Sequence, residues 1–203
     1  MEYKLSDIFD LQMGKTPSRH NLDYWKNGTL PWISISDLSK CDKLITETSE
    51  HITDIAESES GIKLIPENTV VMSFKLSIGK LAITSKPMYS NEAIMAFIDK
   101  GIIDINPTYL FYLLSQKDWD RETNKAVMGK TLNKATLSQI KINIHSLREQ
   151  EEMAKVLEMV RKLIDSRKYQ IEEFDNLVKS RFLVPALELW YYLTNDNQVS
   201  PYE

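Results

Sequence analysis

Apolar positions between Ser146 and Arg181 recur at alternating steps of four and three. Met153, Leu157, Val160, Ile164, Arg167, Ile171, Phe174, Val178 and Arg181 fall on one line. That is a heptad seam of roughly four repeats, interrupted by the two arginines. Val156, Leu163 and Leu177 flank it and widen its apolar face. At a rise of about 1.5 Å per residue the predicted helix is roughly 50 Å long. Ser146 followed by Glu149 is a capping box at its start, and Pro185 ends or kinks it. Ordinary helices run to about twenty residues, and a much longer periodic stretch favours a coiled coil. The chain offers no second long helix to cover the stripe, so another protein chain is the expected cover. Arg167 either meets a partner carboxylate such as Glu172 or Asp175 or reaches past the stripe into solvent.

Upstream, the pattern changes to short apolar runs separated by turns. Leu30–Ile35 reads as a strand, with Pro31 near its start, where a missing N–H is tolerable. The acidic stretch 47–60 reads as a short helix closed by Gly61. Val70–Phe74, Leu81–Ile83 and Ala93–Ile98 read as strands. Asn106-Pro107 opens a helix reaching Leu113-Leu114, with an N-cap followed by proline at the first helical position. Residues 117–134 are polar and loop-like, Leu137–Ile140 is a short helical turn, and Ile142–Ile144 is a last strand. The reading is an α+β head at 1–145, a long spacer helix at 146–184, and a short aromatic helix with a polar tail at 185–203. There is no internal repeat.

Composition narrows the classes. The 203 residues, 42% hydrophobic and 27% charged, suit a globular domain with an appendage. A single cysteine, Cys41, forms no internal disulfide and fits a reducing cytoplasm. No apolar run is long enough to span a bilayer. The net charge of −4 is unevenly spread: Lys125, Lys130, Lys134 and Lys141 lie in 123–147 without an acid, while Asp42, Glu47, Glu50, Asp54, Glu57 and Glu59 crowd 42–59 against Lys43 alone. Local patches then matter more than the sum.

Catalytic signals are weak. Gly-Lys-Thr occurs at 14–16 and at 129–131, but a phosphate-binding P-loop needs a further glycine five residues before, and Phe9 and Asn124 stand there. What remains suits either a DNA backbone phosphate or plain turn chemistry. Asn106-Pro107-Thr108-Tyr109 is similar to the loop with which amino-methyltransferases hold adenine. The six glycines are scattered, with no glycine-rich cofactor loop, and the helix-start reading is preferred. His20, His51, His145 and Cys41 have no zinc-like spacing. No catalytic residue, metal site or cofactor is expected.

Taken in order, several short stretches resemble one family: Tyr3–Ile8, Gly14–Pro17, Gly28–Leu38, Pro66–Ser73, Ile78-Gly79, Asn91–Ile94, the junction Ile140–Gln150 and Lys179–Phe182. The chain resembles one half of a specificity subunit of a type I restriction–modification system, from Tyr3 to Phe182. The family often has proline before Leu-x-Glu-Gln, where this chain has His145-Ser146.

The resemblance implies that residues 1–145 are a target recognition domain and the long helix a spacer. Family members usually carry two of each and read a split DNA site. A chain with one of each is then a half-subunit that pairs through an intermolecular antiparallel coiled coil, with itself or with another half. Its seam would be Met153, Leu157, Val160, Ile164, Arg167, Ile171, Phe174 and Val178. The pair would catalyse nothing and would direct methyltransferase and restriction subunits to a bipartite site. Lys15, Thr16, Arg19, Lys75, Lys80, Lys130, Thr131 and Lys134 are expected on phosphates; Ser18, Ser77 and Asn133 are expected near base edges. The competing reading is a coiled-coil protein-interaction module that does not bind DNA.

Overall fold

The computed structural model describes residues 1–75, 77–119 and 132–195. The chain divides into two units, Met1–Ala154 and Lys155–Glu203. In the first, the order is β1 (Glu2–Lys4), α1 (Leu5–Ile8), β2 (Phe9–Met13), a 3-10 turn (Leu22–Tyr24), β3 (Leu30–Ile33), α2 (Ile35–Lys40), β4 (Leu44–Ile45), β5 (Glu50–Ile52), α3 (Asp54–Ser60), β6 (Val70–Ser73), β7 (Leu81–Thr84), β8 (Tyr89–Ser90), β9 (Ile94–Asp99), α4 (Pro107–Ser115), α5 (Lys134–Gln139) and β10 (Lys141–Asn143). Helix α6 (Leu147–Val178) begins in this unit and continues into the second, where a π-helical turn (Lys179–Leu183) precedes α7 (Val184–Asn195). The mixed α/β head with one long helix is the architecture the pattern predicts.

A five-stranded sheet of order β2-β9-β6-β7-β4 organises the head. All its pairs are antiparallel except β4 with β7. Side chains alternate across a strand, and here both faces are covered. Val70, Met72, Leu81, Ile83, Met95 and Phe97 enter a core shared with α1, α4 and α5. Val71, Ala82, Ile94 and Ala96 enter a second core with Ile33, Leu38 and Met88. Double burial explains why these strands read as continuous apolar runs. A three-stranded sheet, β5-β3-β8, carries a third cluster around Trp32, Ile52 and Tyr89. Strands β1 and β10 pair separately.

Several local expectations differ in detail. The acidic stretch is not one helix. Glu50–Ile52 pairs with Leu30–Trp32 as a strand, and α3 starts only where the Thr53 side chain accepts from the Ala56 N–H. Gly61 closes α3 at φ 66°, as expected. Helix α2, not anticipated, is capped by Ser34 in a box with Asp37. Burial works against the Asp37 carboxylate, but its bonds from Ser34 and Ser49 prevail and hold its pKa below the usual range. Pro185 is the second residue of α7 and follows directly on the π-helical turn.

The start of α6 is embedded in the head. The Ser146 N–H donates to Glu149 Oε2 at 2.9 Å, and the Glu149 N–H donates to Ser146 Oγ at 3.4 Å, completing the expected capping box. Gln150, 1% exposed, accepts from the Asn106 N–H at 2.9 Å and donates to the Asp104 and His145 carbonyls, both at 3.0 Å. Gln150→Leu would remove all three of these part-buried hydrogen bonds. At about 1 kcal/mol for each bond, we expect the variant to lose roughly 3 kcal/mol in denaturant unfolding. Among the described residues, no helix is long and apolar enough to cross a membrane.

Candidate nucleic-acid interface

Sheet register brings separate stretches to one end of the five-stranded sheet. Strand β2 ends with Met13 opposite Met95, β6 ends with Ser73 opposite Ile94, and β7 begins with Leu81 opposite Met72. Beyond those ends, the Gly14 N–H donates to Ile94 O at 3.1 Å and the Phe74 N–H to Ala93 O at 2.9 Å. The loop after β2, the β6–β7 hairpin loop and the turn at 91–93 are therefore neighbours. They carry Lys15, Thr16, Ser18, Arg19, Lys75, Ser77 and Lys80.

The first loop is tightly seated. A Cβ on Gly14 would lie 2.3 Å from the Asn91 and Ser90 carbonyl oxygens, so only glycine lets the backbone approach the 90–91 turn. The Lys15 N–H donates to Ser90 O at 2.8 Å, and Lys15 O accepts from Trp32 Nε1 at 3.1 Å. Trp32 is accordingly core, 1% exposed. Lys15 Nζ donates to the Ser60 carbonyl. Thr16 Oγ1 donates to Glu92 and accepts from Asn91 Nδ2. Ser18 is exposed, and its carbonyl takes the Trp25 Nε1 hydrogen bond at 3.1 Å. Arg19 forms a two-point pair with Glu50, with Nη2 to Oε2 at 2.9 Å. Its Cζ lies 3.7 Å from the Trp25 ring centroid. The bond to Glu50 raises the Arg19 pKa, with Glu92 adding in the same direction.

The hairpin loop is pinned from below by buried Ser73. Its Oγ donates to Ser77 O at 2.6 Å and accepts from the Lys80 N–H at 3.1 Å. Ser77 adopts φ 49°. Trp119 lies under the loop, its Cδ1 2.7 Å from where a Gly79 Cβ would stand. Lys75 and Lys80 are exposed. Lys75 Nζ is 5.5 Å from the Phe74 ring centroid, and neither lysine has a carboxylate partner among the described residues.

Of the remaining expected contacts, Asn133 and Lys134 are placed elsewhere. Lys130 and Thr131 lie outside the described residues. Asn133 caps α5, its Oδ1 accepting from the Thr136 N–H at 2.9 Å. Lys134 Nζ is 3.8 Å from Asp10 in β2. Asp10 stands near the start of that strand, away from the three loops. Sequence reasoning did not single out Glu50, Glu92 or Trp25 as part of this surface. Asn91–Ile94 was noticed as a motif, which was the available signal for Glu92. Among the described residues, no group of three His, Cys, Asp or Glu is placed to hold a metal ion.

On α6 the seam is bare in the isolated chain. Val160 and Ile164 are each 48% exposed, Ile171 63%, Phe174 67% and Val178 50%. Met153 is also exposed and Leu157 half-buried. Arg167 Nη1 donates to Gln170 Oε1 at 2.7 Å along the same helix.

A family model described as the type I restriction modification DNA specificity domain matches residues 1–174. The chain belongs to this family. Among its relatives, the specificity subunit of the type I restriction enzyme MjaIX from Methanocaldococcus jannaschii is 29% identical over 184 residues, covering 88% of this chain and 42% of that protein. The HsdS subunit from Thermoanaerobacter tengcongensis shares the fold at TM-score 0.61 and 16% identity, over 84% of this chain and 39% of that one. A chain from a structural study of complex assembly and conformational transition in the type I R-M system aligns at TM-score 0.66 and 17% identity, over 89% of this chain and 43% of the other. This specificity-domain chain thus spans about two fifths of the length of the proteins it matches.

Proposed function

We propose that the chain supplies one half of a specificity subunit. Its head reads one half of a bipartite DNA site, and its long helix pairs with a second half. The pair works in the cytoplasm, where it directs methyltransferase and restriction subunits to the site and performs no chemistry itself. The observation that carries this reading is the convergence of three loops at one end of the head's main sheet, in a chain of the specificity-domain family. Lys75 and Lys80 supply cations with no carboxylate partner among the described residues, suited to phosphates. Lys15 and Thr16 lie on the neighbouring loop after β2, and Lys130 and Thr131 are further proposed phosphate contacts; Lys134, close to Asp10, would contact a phosphate only outside this loop cluster. Ser18 and Ser77 are candidates for base edges, while Asn133 has its Oδ1 engaged in capping α5 and would reach a base only through its amide N–H groups.

The pairing is antiparallel through Met153, Leu157, Val160, Ile164, Arg167, Ile171, Phe174 and Val178. Two identical halves would make the recognised site palindromic with a gap.

The test is binding to duplex DNA across a salt series. A DNA reader weakens steeply as salt rises, because each neutralised phosphate releases counterions. Lys75→Ala with Lys80→Ala should weaken binding about equally on all sequences and reduce the salt slope by about 2. A head that ignores duplex at low salt overturns the reading in favour of a protein-interaction module.

A further inference from the structure

Arg19 differs from the other cations of this surface because it is braced. Glu50 takes one hydrogen from each terminal nitrogen, and the rings of Trp25 and Trp32 lie 3.7 and 5.0 Å from Cζ. A guanidinium has five N–H donors in a fixed fork. Nε–H and the remaining terminal hydrogens have no partner among the described residues. The side chain is still 47% exposed. An accessible two-donor edge, Nε with Nη, is therefore held in place before any ligand arrives.

We propose that Arg19 is a specificity-determining residue that reads a guanine through this edge, with Glu50 and Trp25 as its positioning residues. The inference rests on the DNA-reading function proposed above and deepens it. Two acceptors are open to such an edge in DNA: a phosphate, or the O6 and N7 atoms of guanine. The carboxylates decide between them. Glu50 already balances the guanidinium charge, and Glu92 lies close by, hydrogen-bonded to Thr16. A phosphate would bring a full negative charge against both. The guanine edge is neutral and meets no such repulsion. Bracing also lowers the side-chain entropy lost on binding, which favours a geometrically exacting contact.

The test is selection of binding sites from a randomised duplex library by the full chain, comparing wild type with Arg19→Lys and Glu50→Gln. Lysine keeps the charge but lacks the fork. Arg19→Lys is expected to retain the wild-type salt slope while its preference for G·C at one position falls roughly ten- to a hundredfold. Glu50→Gln, which leaves Arg19 in place, should weaken preference at that same position. An Arg19→Lys variant that selects the wild-type sequence overturns the inference. So does uniform weakening of every sequence with the slope reduced by about 1, the mark of a phosphate contact. An unchanged preference in Glu50→Gln overturns the brace. A wild-type chain that selects no sequence overturns the DNA-reading function, and this inference with it.

Discussion

Ile164→Glu is expected to convert a paired chain into a monomer, read as a halved mass in light scattering over a range of concentrations. Ile164 sits mid-seam, 48% exposed in the isolated chain, between Val160 and Ile171. Burying an aliphatic side chain of this size contributes about 1.5–3 kcal/mol, and a symmetric pair buries it twice. Glutamate removes that gain. It also forces a carboxylate to be desolvated in the seam, a cost that the neighbouring Arg167 offsets only in part. With about 1.4 kcal/mol for each tenfold in affinity, a thousandfold or greater weakening follows. Lys162→Glu, on the opposite face of α6, serves as the control and should leave the mass unchanged. A dimer that survives Ile164→Glu disproves the seam, and a wild-type chain that is already monomeric disproves pairing of the chain with itself.

What the sequence made legible, and what it did not, divides along the range of the interactions. The seam of α6, the Ser146–Glu149 cap and the Asn106 cap of α4 depend on residues three to seven apart, so spacing reveals them. The buried strands β6, β7 and β9 were legible because each is at least four residues long and holds three or more consecutive apolar residues. Strands β1, β4 and β5 have only two or three residues, too few to show a period, and β5 was absorbed into a helix by its acidic neighbours. The candidate surface was hardest to read. Arg19 meets Glu50 from 31 residues away and Thr16 meets Glu92 from 76. Those meetings are set by the order in which strands pair, which no local spacing encodes. The lysines of the hairpin could be named from their turn. The carboxylates that make Arg19 unlike them could not.

Gly14→Ala should disable the candidate surface more thoroughly than removal of any of its charges. The methyl group would need space 2.3 Å from the carbonyl oxygens of Ser90 and Asn91 and from Ser90 Oγ. Two of these are backbone atoms and cannot swing aside. Moving them stretches Lys15 N–H to Ser90 O, now 2.8 Å, and Asn91 N–H to Ile33 O, now 3.0 Å. Moving Gly14 instead breaks its own bond to Ile94 O at 3.1 Å. Overpacking costs about 1–3 kcal/mol, and each lost buried hydrogen bond adds about 1 kcal/mol. We expect a total of roughly 3 kcal/mol, which lowers Tm by about 10 °C for a domain of this size. The same displacement moves Lys15, Thr16 and Arg19 together, since one short loop carries all three. Duplex binding should therefore fall well beyond the loss seen with Lys75→Ala and Lys80→Ala, at temperatures where circular dichroism still reports a folded head. A Gly14→Ala chain with wild-type melting and wild-type binding would mean that this loop does not hold the close approach to the 90–91 turn on which the surface is built.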